Sequence, residues 1–164
     1  MKKYFSLFFI ILSFNCYSKI YSVNSENLID KNGIFYVKNM KEPFSGMAIF
    51  EKNREFYKDG HPNGKWLTFY KNGRLKSIEN WKNGVLNGNY VLYRENGNRI
   101  SKTTFTDGKD NGNFQLYHTN GKIQIEGFFH MGTPIGIWKY YNDTGKLIGK
   151  VDYTKNNVFF DQKN

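Results

Sequence analysis

Few residues of this 164-residue chain are of the types that bind metals, and their spacing is the first test of a chemical function. The histidines are His61, His118 and His130, and no two of them stand at the separation of a metal-ligand pair. An isolated histidine at such a position is more often a surface or turn residue than a ligand. The sequence therefore predicts no metal site.

Carboxylates are the remaining candidates for acid-base chemistry. Asp107 and Asp110 flank a glycine turn, whereas Glu79 and Glu126 fall within strand-like segments. None is close in sequence to a candidate nucleophile, although a general acid and base must converge on one reacting group in a pocket. The 16 glycines form neither a G-x-G-x-x-G pattern nor a Walker pattern. We predict no catalytic residues, no cofactor and no enzyme.

The first 18 residues differ in kind from the rest of the chain. Two lysines precede an apolar run from Tyr4 to Leu12, and small or polar residues follow. A bilayer requires about 20 apolar residues, so this run is too short to span one and is typical of a secretory signal. We predict cleavage after Ser18 and a secreted or periplasmic protein. The alternatives are an uncleaved segment and a lipoprotein anchored through Cys16.

Composition predicts a folded, β-rich chain. Aromatic residues make up 18% of the sequence, with 15 Phe and 12 Tyr against only 3 Pro, which favours strands over disorder. Cys16 is the only cysteine, so cleavage after Ser18 would leave neither a disulfide nor a thiolate nucleophile. The net charge of +10 suits an acidic partner or an anionic surface.

A 24-residue period organises the sequence from Pro62 onward. Four units align without a gap: PNGKWLTFYKNGRLKSIENWKNGV, LNGNYVLYRENGNRISKTTFTDGK, DNGNFQLYHTNGKIQIEGFFHMGT and PIGIWKYYNDTGKLIGKVDYTKNN. A fixed period in the range of roughly 20 to 50 residues is the signature of a repeat architecture, in which each unit is one supersecondary element.

Glycines and aromatic residues recur at fixed places in the units. The glycines are Gly64, Gly88, Gly112 and Gly136, then Gly73, Gly97, Gly121 and Gly145, then Gly84, Gly108 and Gly132. The first aromatic column is Trp66, Tyr90, Phe114 and Trp138; the second is Phe69, Tyr93, Tyr117 and Tyr141; the third is Trp81, Phe105, Phe129 and Tyr153.

Each unit is predicted to be a β-hairpin. Asn72-Gly73 and its counterparts in the next two units have the composition of a two-residue type I′ turn, which needs positive φ at both positions. We place the strands of the first unit at about Lys65 to Tyr70 and Arg74 to Trp81. Isolated hairpins are marginal in water, so the units must pair side by side. The predicted fold is all-β, an elongated single-layer antiparallel sheet of repeated hairpins.

The repeats divide the chain into four segments. Residues 1–18 are the predicted signal peptide, and residues 19–61 form an N-terminal cap that contains a degenerate repeat. Residues 62–157 are the four 24-residue units. Residues 158–164 form a C-terminal cap, in which Val158 to Phe160 are expected to cover the last strand.

The pattern G-x-aromatic-x-x-Tyr-x-x-Asn-Gly-Lys, as in GNFQLYHTNGK from Gly112, resembles the MORN-repeat variant family of bacteria, often labelled YwqK-like antitoxin components. The resemblance covers about residues 28–157, including the lead-in DKNGIFYVKNMKEPFSGMA. It implies an elongated sheet of hairpins that serves as a scaffold or a membrane-proximal binding surface.

Two sets of residues are candidate binding sites. The first aromatic column, Trp66, Tyr90, Phe114 and Trp138, is interpreted as a folding ladder, with a binding groove beside it as the alternative. A basic stripe comprises Arg74, Lys122 and Lys146 in one column after the hairpin turn, together with Lys82. The stripe is a candidate contact for anionic lipid, acidic glycan or an acidic protein, and the alternative is charge that keeps the sheet soluble.

These observations predict an exported, non-enzymatic repeat protein that acts as a binding or scaffold surface at the cell envelope. The expected partner is a protein or an anionic envelope surface. Nucleic acid is not expected for an exported protein, and self-association through edge strands remains open. The alternative function is an antitoxin-like protein that neutralises a partner toxin.

Overall fold

The computed structural model describes residues 22–155 and 157–160, so the expected signal segment and Cys16 lie outside the described residues, as do residues 161–164 of the expected C-terminal cap. The strands are β1 (Ser22–Asn24), β2 (Leu28–Lys31), β3 (Ile34–Val37), β4 (Gly46–Phe50), β5 (Asn53–Lys58), β6 (His61–Pro62), β7 (Gly64–Phe69), β8 (Leu75–Lys82), β9 (Val85–Leu86), β10 (Gly88–Tyr93), β11 (Arg99–Thr106), β12 (Lys109–Asp110), β13 (Gly112–Tyr117), β14 (Ile123–His130), β15 (Thr133–Tyr141), β16 (Leu147–Asp152) and β17 (Asn157–Phe160).

Most of these strands belong to one sheet whose strand order follows the chain. The order is β1-β4-β5-β7-β8-β10-β11-β13-β14-β15-β16-β17, with the short strands β6, β9 and β12 paired to β5, β8 and β11. Each 24-residue unit contributes one hairpin, and β17 pairs with the last strand of the fourth unit. The predicted all-β sheet of repeated hairpins is confirmed, with strand boundaries within one residue of those expected for the first unit.

The N-terminal end departs from a single antiparallel layer. Strand β1 pairs parallel to β4, and β2 and β3 form a separate two-stranded sheet. Phe44, Ala48 and Tyr57 are 1–6% exposed there, and the side chains that pack against them are Val23, Leu28, Phe35, Val37 and Trp66. The cap needs this second layer because the first hairpin has no preceding unit to cover it.

The turn within each unit differs from the predicted type I′ turn. Gly73 has φ +81°, whereas Asn72 has no positive φ, and the Gly73 N–H donates to the Tyr70 carbonyl at 2.8 Å. This is a three-residue connection in which only the glycine is left-handed, and it creates a β-bulge in the following strand. Asn72 has another role, since its Oδ1 accepts the Arg74 N–H at 2.9 Å.

The type I′ geometry occurs instead at the turns between units. Asn83 and Gly84 have φ +49° and +84°, and Asp107-Gly108 and Met131-Gly132 follow the same pattern. At these turns the chain reverses into the next unit, and the glycine N–H donates to the carbonyl of the first residue of its own unit, as from Gly84 to Pro62 at 2.9 Å. The type I′ turn that the sequence predicts is therefore present in the period, but at the turn between units and not at the turn within each unit.

The first and third aromatic columns pair within every unit. Ring centroids are 5.3 Å apart for Trp66–Trp81, 5.8 Å for Tyr90–Phe105, 5.5 Å for Phe114–Phe129 and 5.7 Å for Trp138–Tyr153. Each such pair contributes about 0.5–1.5 kcal/mol beyond the area it buries. The columns thus stabilise one face of a sheet that has no second layer along the repeats.

Gly127 is predicted to be essential for the position of Trp138, because a Cβ at residue 127 would overlap the Trp138 ring. Gly127→Ala should reduce the free energy of unfolding by about 1–3 kcal/mol through overpacking. Urea unfolding of Gly127→Ala, Trp138→Leu and the double variant measures this. The cost of the alanine should vanish in the Trp138→Leu background, and an equal cost in both backgrounds would contradict the steric account.

Met131 lies in a left-handed conformation, with φ +48°, which asparagine adopts more readily than methionine. Met131→Asn should therefore raise the free energy of unfolding by about 0.5–1 kcal/mol. The matched control is Lys71→Asn, an exposed turn position without positive φ, which should leave stability unchanged. Thermal unfolding of both variants decides the point, and equal effects would refute the turn assignment.

Candidate binding groove

Strand alternation and register give the repeat sheet two different faces. The aromatic face carries the first and third aromatic columns. The opposite face, called the groove face here, carries the cross-strand row Lys102, Gln115, Glu126, Lys139 and Lys150, in which each residue is the register partner of the next. The row runs along the sheet, perpendicular to the strands.

Charge and polarity change along this row. Toward the N-terminus the same row continues through Val91, Ile78 and Leu67, which are buried or half-buried apolar residues. From Lys102 onward it is polar, with three lysines and one glutamate. Neighbouring strands are about 4.8 Å apart, so the row places a charged or amide side chain at that interval. The C-terminal half of the groove face is therefore basic and hydrated.

An open groove of about 800 Å³ lies over this polar part of the row. Its lining residues include the amide and hydroxyl side chains of Asn89, Thr104, Asn113 and Gln115, together with Lys102, Glu126 and Lys139. Its apolar contribution comes from Phe128, Ile135 and Ile137, whose side chains are 41%, 40% and 56% exposed. Ile148, at 45% exposure, stands on the same face beside Lys150. These exposed isoleucines beside lysines make the groove a candidate interaction surface.

Glu126 is held at the centre of the row by two donors. The Tyr141 hydroxyl donates to Glu126 Oε1 at 2.7 Å, and Lys139 Nζ donates to the same oxygen at 3.1 Å. The Tyr141 hydrogen bond first, and then the Lys139 hydrogen bond, lower the pKa of Glu126 below its ordinary value of 4.5. Gln115 is oriented in the same way, since its Oε1 accepts the Tyr117 hydroxyl at 2.8 Å. The groove is thus preorganised by the second aromatic column.

The predicted aromatic ladder lies on the other face. Trp66, Tyr90 and Phe114 are half-buried, and Trp138 is 6% exposed. Phe114 and Trp138 stack at a centroid distance of 5.5 Å, so part of this column is packed across units. Its ring contacts are with other aromatic residues, and Phe114 is the member of the column that lines the groove.

The predicted basic stripe has a structural explanation. An Arg74 guanidinium nitrogen donates to the Glu95 carbonyl at 3.1 Å, and Lys122 Nζ donates to the Thr144 carbonyl at 2.8 Å. Asn98, which interrupts the stripe, makes the equivalent bond to Thr119 at 2.8 Å. The shared property of the column is hydrogen-bond donation to the next unit's turn, and positive charge is secondary.

Of the remaining stripe residues, Lys146 belongs to the same column and Lys82 does not. Lys146 follows the last hairpin turn, as Arg74 and Lys122 follow theirs, and is exposed. Lys82 ends β8 beside the turn at Asn83, whereas Arg74 precedes β8, so the two lie at opposite ends of the strand, about 25 Å apart. The structure brings Arg74, Lys122 and Lys146 into one column and leaves Lys82 outside it.

A second set of hydrogen bonds between units could not be predicted from the sequence. Tyr70, Arg94 and His118 occupy one column, and each bonds to the carbonyl of the second aromatic residue one unit later, at 2.6, 3.2 and 2.9 Å. A tyrosine, an arginine and a histidine make the equivalent hydrogen bond in successive units, so the residue type at this position does not predict the bond. The groove was missed for a similar reason, since Lys102, Gln115, Glu126 and Lys139 come from alternating strand positions that only the register aligns.

The candidate acid-base and metal residues have structural contacts. Glu79 accepts hydrogen bonds from Ser77 at 2.9 Å and from Trp81 at 3.0 Å. Burial raises the pKa of Glu55, whose carboxylate accepts the Tyr57 hydroxyl.

Within residues 22–155 and 157–160, no three His, Cys, Asp or Glu side chains form a group able to hold a metal ion. In the same described part of the chain, no helix has the length and apolarity to cross a membrane.

Comparison with known proteins identifies the repeats. A family described as MORN repeat variant matches residues 62–83, 110–131 and 134–156. The match concerns the repeats and does not bear on the antitoxin label. No curated protein matches the chain.

Solved structures are similar to part of this chain at low identity. One is a mutant of TarM from S. aureus in complex with Fondaparinux, alpha-GlcNAc-glycerol and UDP, with 16% identity and a TM-score of 0.41 over 67% of this chain and 21% of that chain. Another is the Glycosylation Associate Protein (Gap123) complex from Streptococcus agalactiae, with 13% identity and a TM-score of 0.36 over 76% of this chain and 22% of that chain. The chain spans about a fifth of these proteins, and the similarity supports no functional conclusion.

Glu126 should stabilise the fold in a pH-dependent way. Because the folded pKa lies below 4.5, its contribution is present above pH 4.5 and lost as the pH falls through the folded pKa. The unfolding free-energy difference between wild type and Glu126→Gln should therefore shrink on acidification below pH 4.5. Urea unfolding across pH measures this. By NMR titration, Tyr141→Phe should raise the Glu126 pKa more than Lys139→Gln does, and a pH-independent difference would contradict the contact.

Proposed function

We propose that this chain, three segments of which match the MORN repeat variant family, is an exported, non-enzymatic scaffold protein that holds a partner along its groove face. The observation that carries the proposal is the open groove over the row from Lys102 to Lys139. Within that groove, exposed apolar side chains and two lysines adjoin one another on a surface already stabilised from its other side.

The two faces differ in how far their apolar side chains are already packed, and this difference supports binding at the groove. The aromatic face has its rings paired at 5.3–5.8 Å, so its side chains are committed to each other. The groove face has Ile137 at 56% exposure and Phe128 at 41%. Burial of these side chains under a partner stabilises the complex by about 25 cal/mol for each Å² removed from water.

Binding in such a groove works through several weak contacts. The lysines of the row steer an acidic partner and contribute salt-sensitive attraction, because they are exposed to solvent. The aliphatic side chains contribute affinity that salt does not screen. The amide side chains of Asn89, Asn113 and Gln115 offer both donors and acceptors for polar groups of the partner.

Localisation at the cell envelope is part of the same proposal. It rests on the apolar run from Tyr4 to Leu12 and the small or polar residues before Lys19. An exported protein would meet its partner outside the cytoplasm, in the periplasm or at the cell surface. Anchoring through a lipidated Cys16 would keep the groove near a membrane, whereas cleavage after Ser18 would release it.

Capture of partners in the native host tests the proposal. Wild type, Lys102→Gln/Lys139→Gln and the charge-matched control Lys41→Gln/Lys71→Gln are expressed with an affinity tag and cross-linked in intact cells. Wild type and the control should retain the same partner in an exported fraction, and the groove variant should lose about nine-tenths of it. Equal recovery by all three proteins, or a partner confined to the cytoplasm, would contradict the proposal.

A further inference from the structure

We propose that the groove accepts an extended acidic and apolar peptide segment, which lies along the row from Lys102 to Lys139, perpendicular to the strands. This inference rests on the proposed binding function and specifies the partner's chemistry. It follows from charge, spacing and the kind of apolar side chain in the groove.

Charge complementarity indicates an acidic ligand. The row presents Lys102, Lys139 and Lys150 against Glu126, whose carboxylate is already engaged by Lys139 and Tyr141. Asp152, the other acid on this face of the last unit, accepts the Thr154 N–H at 2.9 Å. Because Lys139 is ion-paired with Glu126, the net positive charge of the row comes from Lys102 and Lys150. The ammonium of Lys139 has three N–H donors, so it can bind a carboxylate of a ligand as well.

Spacing fits an extended polypeptide. Lys102 and Lys139 are separated by three strand intervals, which amounts to about 14 Å. Side chains at positions i and i+4 of an extended peptide lie on one side and are about 13–14 Å apart. Two carboxylates at that separation can reach both lysines, and the intervening backbone crosses Glu126 and Gln115, whose amide can pair with its N–H and C=O groups.

The apolar lining and the shape of the site favour a peptide. Phe128, Ile135 and Ile137 are 40–56% exposed, and two of these three side chains are aliphatic, which suits leucine or valine side chains of a peptide. A bilayer surface is flat, whereas a single extended chain can enter a groove.

Fluorescence anisotropy with the purified full-length protein tests the inference. The probe is a labelled peptide of about 12 residues with glutamates at i and i+4 and leucine or valine at neighbouring positions. One control peptide replaces the glutamates by glutamine, and another has the same composition with adjacent glutamates. The first probe should bind about tenfold more tightly than either control, and its affinity should fall as salt rises.

Variants locate the bound peptide. Lys102→Gln/Lys139→Gln should weaken binding about tenfold or more, while Lys41→Gln/Lys71→Gln changes it less than about twofold. Ile137→Ser should weaken binding about fivefold, and Ile29→Ser, an exposed isoleucine in β2, should have no effect. All these side chains are exposed, and thermal unfolding verifies that each variant folds.

Competing ligands separate failure of this inference from failure of the proposed function. Equal binding of both glutamate peptides, or groove-dependent binding of a sulfated oligosaccharide or of phosphatidylglycerol vesicles in place of the peptide, would overturn the peptide assignment and leave the binding function intact. Groove variants that bind the peptide normally would also overturn it. Loss of the binding function itself is decided separately, by recovery of the cellular partner.

Discussion

Successive turns at both ends of the strands are hydrogen-bonded to each other, and the rest of the structure depends on these bonds. At one end, Arg74, Asn98 and Lys122 donate to carbonyls of the next hairpin turn. At the other end, the Gly84 N–H donates to Pro62, which follows the preceding turn at Asp59-Gly60. A lone hairpin is marginal in water, so each unit gains stability by satisfying its neighbour's backbone groups. The 24-residue period is the chain length that brings these groups into register.

The two faces of the sheet differ in packing. The aromatic face pairs its rings within each unit and, near Trp138, across units as well. This arrangement replaces the second layer that a sandwich would supply. The opposite face has no need for a continuous apolar surface, and along one row it changes from Val91 and Ile78 to lysines and amides. The aromatic face thus supplies folding contacts, which leaves the groove face for the proposed recognition.

The period, the hairpins and the aromatic columns could be predicted from sequence because glycines and rings recur at fixed intervals. The two turn types could not be assigned from sequence, because both turns contain Asn-Gly, at Asn72 and at Asn83. Only the second turn has positive φ at both residues. The parallel pairing of β1 depends on contacts distant in sequence. The groove depends on register between alternate strands, which a column-by-column alignment of units does not show.

The most direct test of the groove as a binding surface is site-specific photocross-linking in the native host. A photoreactive residue replaces Asn113, which is exposed on the groove face, or Tyr153, which is 40% exposed on the aromatic face. The account predicts a covalent adduct with a partner protein from position 113 and none from position 153. An adduct from position 153 alone would show that the aromatic face is the one that binds, and would contradict it.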